Sequence, residues 1–227
     1  MRWASFWDQQ AGSGNSAVQV GRIVEGKPTP PELNREIARH IARLLKLEPH
    51  HQVLDVCCGN GELTALLAAQ CGRIVGVDFS AQQLAHAQKH LSHHDNLEFI
   101  QGDAQSLQLQ QTFDRINLYF SFQYITGRTS ANRVLSGLFR HLNPGGMALL
   151  GDIPDAEREI YYYNTRKKLL RARIQSLLGR NPMGRFWHPE ALSQLARNQG
   201  FTTQISPEPA HLPYASYRFD LLLTRPA

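Results

Sequence analysis

The segment of this 227-residue chain with the most capacity for chemistry is Val53-Leu54-Asp55-Val56-Cys57-Cys58-Gly59-Asn60-Gly61-Glu62-Leu63-Thr64. It is an apolar strand, a Gly-bearing turn, and a helix opening near Glu62. Glycines let a ligand approach backbone that a Cβ would block, and a helix N-terminus offers free N–H donors. Tight packing alone also produces such turns, so further residues must decide. Asp78 ends the next apolar run, 23 positions after Asp55, where a carboxylate can accept both hydroxyls of a ribose. Asp103 follows the third run, in Gln101-Gly102-Asp103-Ala104, where it can read an adenine edge. A dinucleotide is disfavoured, because the third glycine of Gly-x-Gly-x-x-Gly is replaced by Thr64. Asp55 would also set a fixed carboxylate beside a diphosphate. The same charge suits the ammonium and sulfonium cations of S-adenosylmethionine.

Other residue types with chemical potential are scattered. The fourth apolar run ends Asn117-Leu118-Tyr119-Phe120-Ser121-Phe122-Gln123-Tyr124. Tyr119 is the aromatic expected at the ligand, with Phe120 and Phe122 read as core. His188 has a pKa range suited to a general base, and it also precedes Pro189 as a helix cap. His86, His90, His93 and His94 fall on one helical face, but no carboxylate or Cys completes a metal site there, and no metal is expected. His50-His51 reads as loop. Three cysteines are too few for a disulfide framework, and the pair Cys57-Cys58 reads as small and buried.

These residues need a frame. Strand-like runs at 52–56, 73–78, 97–101, 114–120 and 146–153 alternate with helix-like runs at 61–70, 80–92 and roughly 129–141. Strands separated by helices of 10–15 residues read as βαβ units on a parallel sheet. A helix over 32–47, with Leu33, Ile37, Ile41, Leu44 and Leu45 on one side, precedes them. A helix from Pro189 and strands near 202–206 and 215–223 follow. Asn143-Pro144-Gly145-Gly146 is a turn by composition. The formal charge of +5 is concentrated in 155–187, which holds eight bases (Arg180 among them) and three acids. That stretch also carries Tyr161-Tyr162-Tyr163 and Leu169, Leu170, Ile174, Leu177 and Leu178 at helical spacing. It reads as a solvated helix, a substrate lid, a dimer contact, or a nucleic-acid or membrane footprint. With 19% charged residues and no apolar run near the roughly 20 residues of a membrane span, a cytoplasmic protein is the expectation.

The sequence resembles the class I S-adenosylmethionine-dependent methyltransferases. Asp55-Val56-Cys57-Cys58-Gly59-Asn60-Gly61 matches their Asp-x-Gly-x-Gly-x-Gly loop. Gly76-Val77-Asp78-Phe79-Ser80, Gly102-Asp103-Ala104 and Leu142-Asn143-Pro144-Gly145-Gly146 match three later motifs in order. The resemblance implies an α/β, Rossmann-like, doubly wound seven-stranded sheet of order 3-2-1-4-5-7-6 with the last strand antiparallel. One domain over 1–227 is expected, with a helical cap at 1–47 and a lid-like insertion at 155–187 after the fifth strand. It places the cofactor on Asp55, Cys57, Gly59, Asn60, Gly61, Asp103, Ala104 and Tyr119, with Asp78 on the ribose and Phe79 against the adenine. Family members often fold their N-terminal segment over the cofactor, so Trp3, Phe6 and Trp7 belong near it and Arg22 near the methionine carboxylate. Cys57 replaces the first glycine of the loop, so a positive φ is not expected there.

The expected activity is methylation of a small molecule, at oxygen, releasing S-adenosylhomocysteine, with His188 and Tyr119 as candidate catalytic residues. Methylation of nitrogen or carbon, an RNA- or protein-directed enzyme using the basic helix, and a catalytically silent cofactor-binding protein are the alternatives. A small-molecule acceptor is expected rather than nucleic acid, with a homodimer contact through 155–187.

Overall fold

The computed structural model describes residues 3–24, 26–178, 181 and 183–227, so Arg180 lies outside the described residues. The chain opens with α1 (Trp3–Ala11), α2 (Ser16–Gln19) and a two-stranded hairpin of β1 (Ile23–Val24) and β2 (Lys27–Pro28). Pro31 then occupies the first turn of α3 (Pro31–Leu45), where its missing N–H costs nothing. Ile37, Ile41 and Leu45, four residues apart, bury one face of α3.

Seven strands form the main sheet: β3 (Gln52–Val56), β4 (Arg73–Asp78), β5 (Leu97–Gln101), β6 (Phe113–Tyr119), β7 (Leu142–Pro154), β8 (Thr202–Pro207) and β9 (Arg218–Thr224). Their order is β5-β4-β3-β6-β7-β9-β8. Setting aside the N-terminal hairpin, this is the expected 3-2-1-4-5-7-6. The strands from β5 to β7 pair in parallel, while β9 runs antiparallel to both β7 and β8.

Val53 to Val56 are all buried, as a central strand covered on both faces requires. The covering helices are α4 (Glu62–Ala68), α5 (Ala81–Leu91), α6 (Arg128–His141) and, after an insertion of α7 (Glu159–Tyr163) and α8 (Arg166–Leu177), α9 (Pro189–Arg197). One core joins sheet residues such as Leu54, Ile116 and Leu150 to Val134 and Leu138 of α6 and Leu192 of α9. The second joins Val53, Ile74 and Leu149 to α3 and α4. Each fully buried Leu or Ile contributes about 1.5–3 kcal/mol. The insertion is closed at its root, where Trp187 N–H donates to Pro154 O at 2.8 Å and Ala156 N–H to Trp187 O at 3.0 Å.

Two local expectations are corrected. The residues Asn143 to Gly146 do not interrupt the fifth long strand but lie within β7 as an irregularity, with Gly145 at φ 73. Gly145 N–H donates to Arg225 O at 2.9 Å and Arg225 N–H to Gly146 O at 3.0 Å, which keeps the kinked segment in the ladder. The four histidines do not share one helical face. α5 stops at Leu91 because Asn96 pulls the chain back, its amide donating to Ala68 O at 2.8 Å and Cys71 O at 3.1 Å. His86 therefore stacks with His90 at 4.3 Å on the helix, and His93 with His94 at 4.3 Å beyond it.

Candidate active site

The turn after β3 is held by the end of β4. Cys58 N–H donates to Val77 O at 3.1 Å, and Gly59 N–H to Asp78 Oδ2 at 2.9 Å. These bonds force a sharp reversal, and Cys57 takes φ 61. The expected negative φ is thus corrected: tertiary hydrogen bonds override a cost of about 1–2 kcal/mol for a left-handed residue bearing a Cβ. Gly61 is also left-handed, at φ 77, and a Cβ there would lie 2.6 Å from Phe99 Cζ. Only glycine satisfies both demands.

Asp78 is 7% exposed, and its second oxygen accepts from Ser80 N–H at 2.9 Å. Burial raises its pKa, opposed by these backbone bonds. Asp103 accepts from Gln105 N–H at 2.9 Å and starts a short 3-10 turn that brings Ala104 inward.

The N-terminal segment is stapled over this turn. Asn60 donates to Ser16 O and Gln19 Oε1, both at 3.0 Å, and Gln83 donates to Gln19 O at 2.7 Å. Ser80 Oγ donates to Asp8 Oδ1 at 2.5 Å. Trp3 and Trp7 pack on Tyr124 at 4.4 and 5.3 Å. Arg22, 8% exposed, donates to Asn34 Oδ1 at 2.9 Å, and burial lowers its pKa against the raising effects of Glu62, Asp152 and Asp55.

These elements enclose a cavity of about 360 Å³ at the carboxyl ends of β3, β4 and β6. This is the crevice position that such sheets offer to ligands. Of the expected cofactor residues, Arg22, Cys57, Gly59, Asp78, Phe79, Asp103, Ala104 and Tyr119 line it. Asp55, Asn60 and Gly61 stand behind the wall. Asp55 spends both oxygens on Thr64 Oγ1 (2.6 Å) and Asn117 Nδ2 (2.7 Å). His188 is outside: it holds the cap position of α9 without a side-chain cap bond, and is 67% exposed with Nδ1 3.9 Å from Glu157 Oε1.

The wall also includes residues that no motif singles out, among them Gln83, Gln105, Ser121 and Phe120. Phe120, expected in the core, packs partly buried against it and also lines the wall, at φ 60 directly after β6. Phe122 is fully buried in the core, as expected.

Behind Tyr119 lies a buried ionic cluster. Tyr119 O–H donates to Glu208 Oε1 at 2.9 Å. Glu208, Asp152 and Asp220 are at most 6% exposed and surround Arg218, whose Nε is 3.2 Å from Asp152 Oδ1. Arg218 donates to Asp152 O at 2.5 Å and lies over the rings of Phe120, Tyr214 and Tyr217 at 4.8, 5.2 and 5.4 Å. His40 Nε2 and Asp220 Oδ2 are 2.6 Å apart. Burial, reinforced by Asp220, pushes the Glu208 carboxyl up to about 7. Burial and Glu208 push the Tyr119 phenol far above its usual range. Gly151 on β7 makes room for Tyr119, since a Cβ there would lie 2.2 Å from Tyr119 Cδ2.

Asp55 supplies a testable pH dependence. Burial pushes its carboxyl from 3.8 up to about 6, against the hydrogen bonds of Thr64 and Asn117. The folded state therefore holds this proton more tightly than the unfolded chain. Its contribution to stability is complete below pH 3.8 and is lost as pH rises through about 6. A shift of that size corresponds to about 3 kcal/mol. Asp55→Asn keeps both hydrogen bonds once the Thr64 hydroxyl rotates to accept. In urea titrations the variant is expected to gain on the wild type progressively as pH rises through this window. A pH-independent difference would contradict the assignment.

The donor set fits S-adenosylmethionine. The wall offers a buried carboxylate (Asp78), a guanidinium (Arg22), aromatic faces, and Gln83 Oε1, a buried acceptor with no partner among the described residues. Residues 53–146 match the family described as a methyltransferase domain. The sheet order is the one that the resemblance to the class I S-adenosylmethionine-dependent methyltransferases implies. The chain is 38% identical over 112 residues to the 2-phytyl-1,4-naphtoquinone methyltransferase of Thermosynechococcus vestitus, covering 48% of either chain. It is 28% identical over 200 residues to the erythromycin 3''-O-methyltransferase of Saccharopolyspora erythraea, covering 86% of this chain and 64% of that one. The chain thus spans about half to two thirds of these relatives' lengths. In fold it is similar to the N-methyltransferase NodS of Bradyrhizobium japonicum, solved with S-adenosylhomocysteine. The TM-score is 0.68 at 15% identity, over 99% of this chain and 98% of that one.

Among the described residues, no helix is long and apolar enough to cross a membrane. The loop residues Glu48, His50 and His51 bring their ligand atoms within 4.8 Å of one another. His51 Nδ1 already accepts from Glu48 N–H at 2.9 Å, so this grouping reads as a loop closure.

Proposed function

We propose that the protein transfers a methyl group from S-adenosylmethionine to an oxygen of a small, largely apolar acceptor. The observation that carries this reading is one cavity lined by both Asp78 and Tyr119, with Tyr119 hydrogen-bonded to Glu208 behind the wall. Asp78 would hold the ribose hydroxyls, Phe79 the adenine face, Asp103 and Ala104 the adenine edge, and Arg22 the methionine carboxylate. The turn Cys57–Gly61 would approach the cofactor through its backbone, with Asp55 supplying negative charge from behind. Bound S-adenosylmethionine supplies an electrophilic methyl group whose leaving group needs no further activation.

The chain's own residues then have three tasks. Trp3, Trp7, Phe120 and Tyr124 exclude water and offer planar faces to an acceptor. The N-terminal cap fixes reacting groups in line, which converts a bimolecular step into an effectively intramolecular one. Tyr119 and Glu208 take up the proton that an acceptor hydroxyl gives up: Tyr119 passes its own proton to Glu208 as it receives the acceptor's. His188, outside the cavity, has no part in this scheme. The names of the relatives, a 2-phytyl-1,4-naphtoquinone methyltransferase and an erythromycin 3''-O-methyltransferase, support a small-molecule acceptor.

The test is methyl transfer to a panel of phenols, quinols and hydroxylated macrocycles, with the product identified by mass spectrometry. O-methylated product is expected. Products methylated only at nitrogen or carbon would overturn the choice of oxygen, and transfer to RNA alone would overturn the acceptor class.

A further inference from the structure

The helix α8 and its C-cap carry an apolar stripe that lies exposed among the described residues. Leu170, Ile174, Leu177 and Leu178 fall at i, i+4, i+7 and i+8, on one helical face. They are 63%, 51%, 89% and 61% exposed. The buried residue of α8 is Ala172, which at 100° per residue lies roughly 160° from both Leu170 and Ile174. The body of the protein is therefore behind Ala172, and the stripe points away from it.

Cations frame the stripe. By the same rotation, Arg166 borders one edge, Arg171 the other, and Lys167 falls within the sector. α8 contains no acidic residue. Its Arg173 is paired with Glu159 of α7 at 3.0 Å. Arg166, Lys167 and Arg171 have no carboxylate within 4.0 Å among the described residues. The face thus offers aliphatic side chains at its centre and uncompensated positive charge around them.

We propose that α8 docks the protein on an anionic lipid bilayer, with its aliphatic stripe in the acyl boundary and Arg166, Lys167 and Arg171 among the headgroup phosphates. Charge complementarity selects this occupant. A second copy of the chain meeting this face about a two-fold axis would set like charges against each other. A nucleic acid needs cations along its track and aromatic faces for its bases, whereas Leu and Ile hold the centre here. Basic residues flanking exposed Leu and Ile are the composition that lies in a bilayer interface. The neighbouring α7 is joined to the cavity. Tyr162 of α7 packs on Tyr217 at 5.1 Å, Tyr217 on Tyr214 at 6.1 Å, and Tyr214 on Phe120 of the cavity wall at 5.7 Å.

The experiment is flotation of the full chain with phosphatidylcholine vesicles, with and without added phosphatidylglycerol. The wild type is expected to float with the anionic vesicles and to remain largely free of the neutral ones. The double variant Leu170→Glu/Leu177→Glu and the triple variant Arg166→Glu/Lys167→Glu/Arg171→Glu are each expected to lose about tenfold or more of that binding. Both should keep wild-type helicity and affinity for S-adenosylmethionine, because no substituted residue lines the cavity. Equal binding to both vesicle types, or unimpaired flotation of the two variants, would overturn the proposal. So would a concentration-dependent dimer that the Leu variant abolishes, or retention on RNA that the triple variant abolishes.

Discussion

Arg218→Ala is expected to cost about 3–5 kcal/mol of folding stability, the range for breaking a buried ion pair from one side. Arg218 is 1% exposed and is the cation among Asp152, Glu208 and Asp220, three carboxylates that are themselves buried. Removing it leaves their charge uncompensated in a poorly solvated interior, and it strips the aromatic faces of Phe120, Tyr214 and Tyr217 of their partner. Asp152 and Glu208 answer by holding protons. Burial already raises Asp152, and Glu208 stands at about 7, so their share of stability is present at low pH and is lost as pH rises through about 7. The deficit of the variant should therefore grow with pH. Urea unfolding on both sides of neutrality measures it, and a second substitution, Glu208→Gln, should recover part of the loss because the two sites are coupled. A pH-independent deficit below 1 kcal/mol would contradict this electrostatic account, since about that much follows from lost packing alone.

Glu208→Gln and Tyr119→Phe are expected to lower kcat by about 10²–10⁴-fold, the usual contribution of a positioned acid–base group. Glu208 is absent from the cavity wall, so its substitution should leave the dissociation constant for S-adenosylmethionine nearly unchanged. The wild-type rate should rise as pH rises through about 7, where Glu208 loses its proton, and that limb should disappear in Glu208→Gln. A wild-type pH profile retained in Glu208→Gln would remove the pair from proton transfer. Loss of cofactor affinity instead of kcat would reduce it to a structural support.

Much of this molecule is legible in its sequence, for identifiable reasons. The strands at 52–56, 73–78 and 97–101 coincide with β3, β4 and β5 residue for residue, because each is a short run bounded by loop or turn residues. The position of Asp78 at the cavity is legible because it ends the second strand of such a sheet, whose carboxyl end borders the crevice. Glu208 is not. It sits 89 residues from Tyr119 in a loop before β9, and no local pattern announces that the two will meet. Cys57 illustrates the opposite failure: its type argues for negative φ, and two tertiary hydrogen bonds to β4 decide otherwise. Phe120 belongs to an apolar run that reads as core, and it does pack there, but its second place in the cavity lining appears only in the packed structure. His188 had a suitable side chain, but Pro189 commits it to the exposed start of α9. The insertion's composition showed its charge at once. That its aliphatic side chains point to solvent depends on which face Ala172 takes, and this is settled only in the packed structure.

One titration tests the cofactor site most directly. Calorimetry with S-adenosylmethionine should show saturable one-site binding to the wild type. Asp78→Ala should weaken it by about 1.5–3 kcal/mol, the range for hydrogen bonds to a charged group. An Asp78→Ala variant that binds as tightly as the wild type would take the ribose off Asp78. No binding to the wild type at about 1 mM ligand, where even a binding free energy of about −4 kcal/mol would register, would contradict the central claim that this cavity holds S-adenosylmethionine.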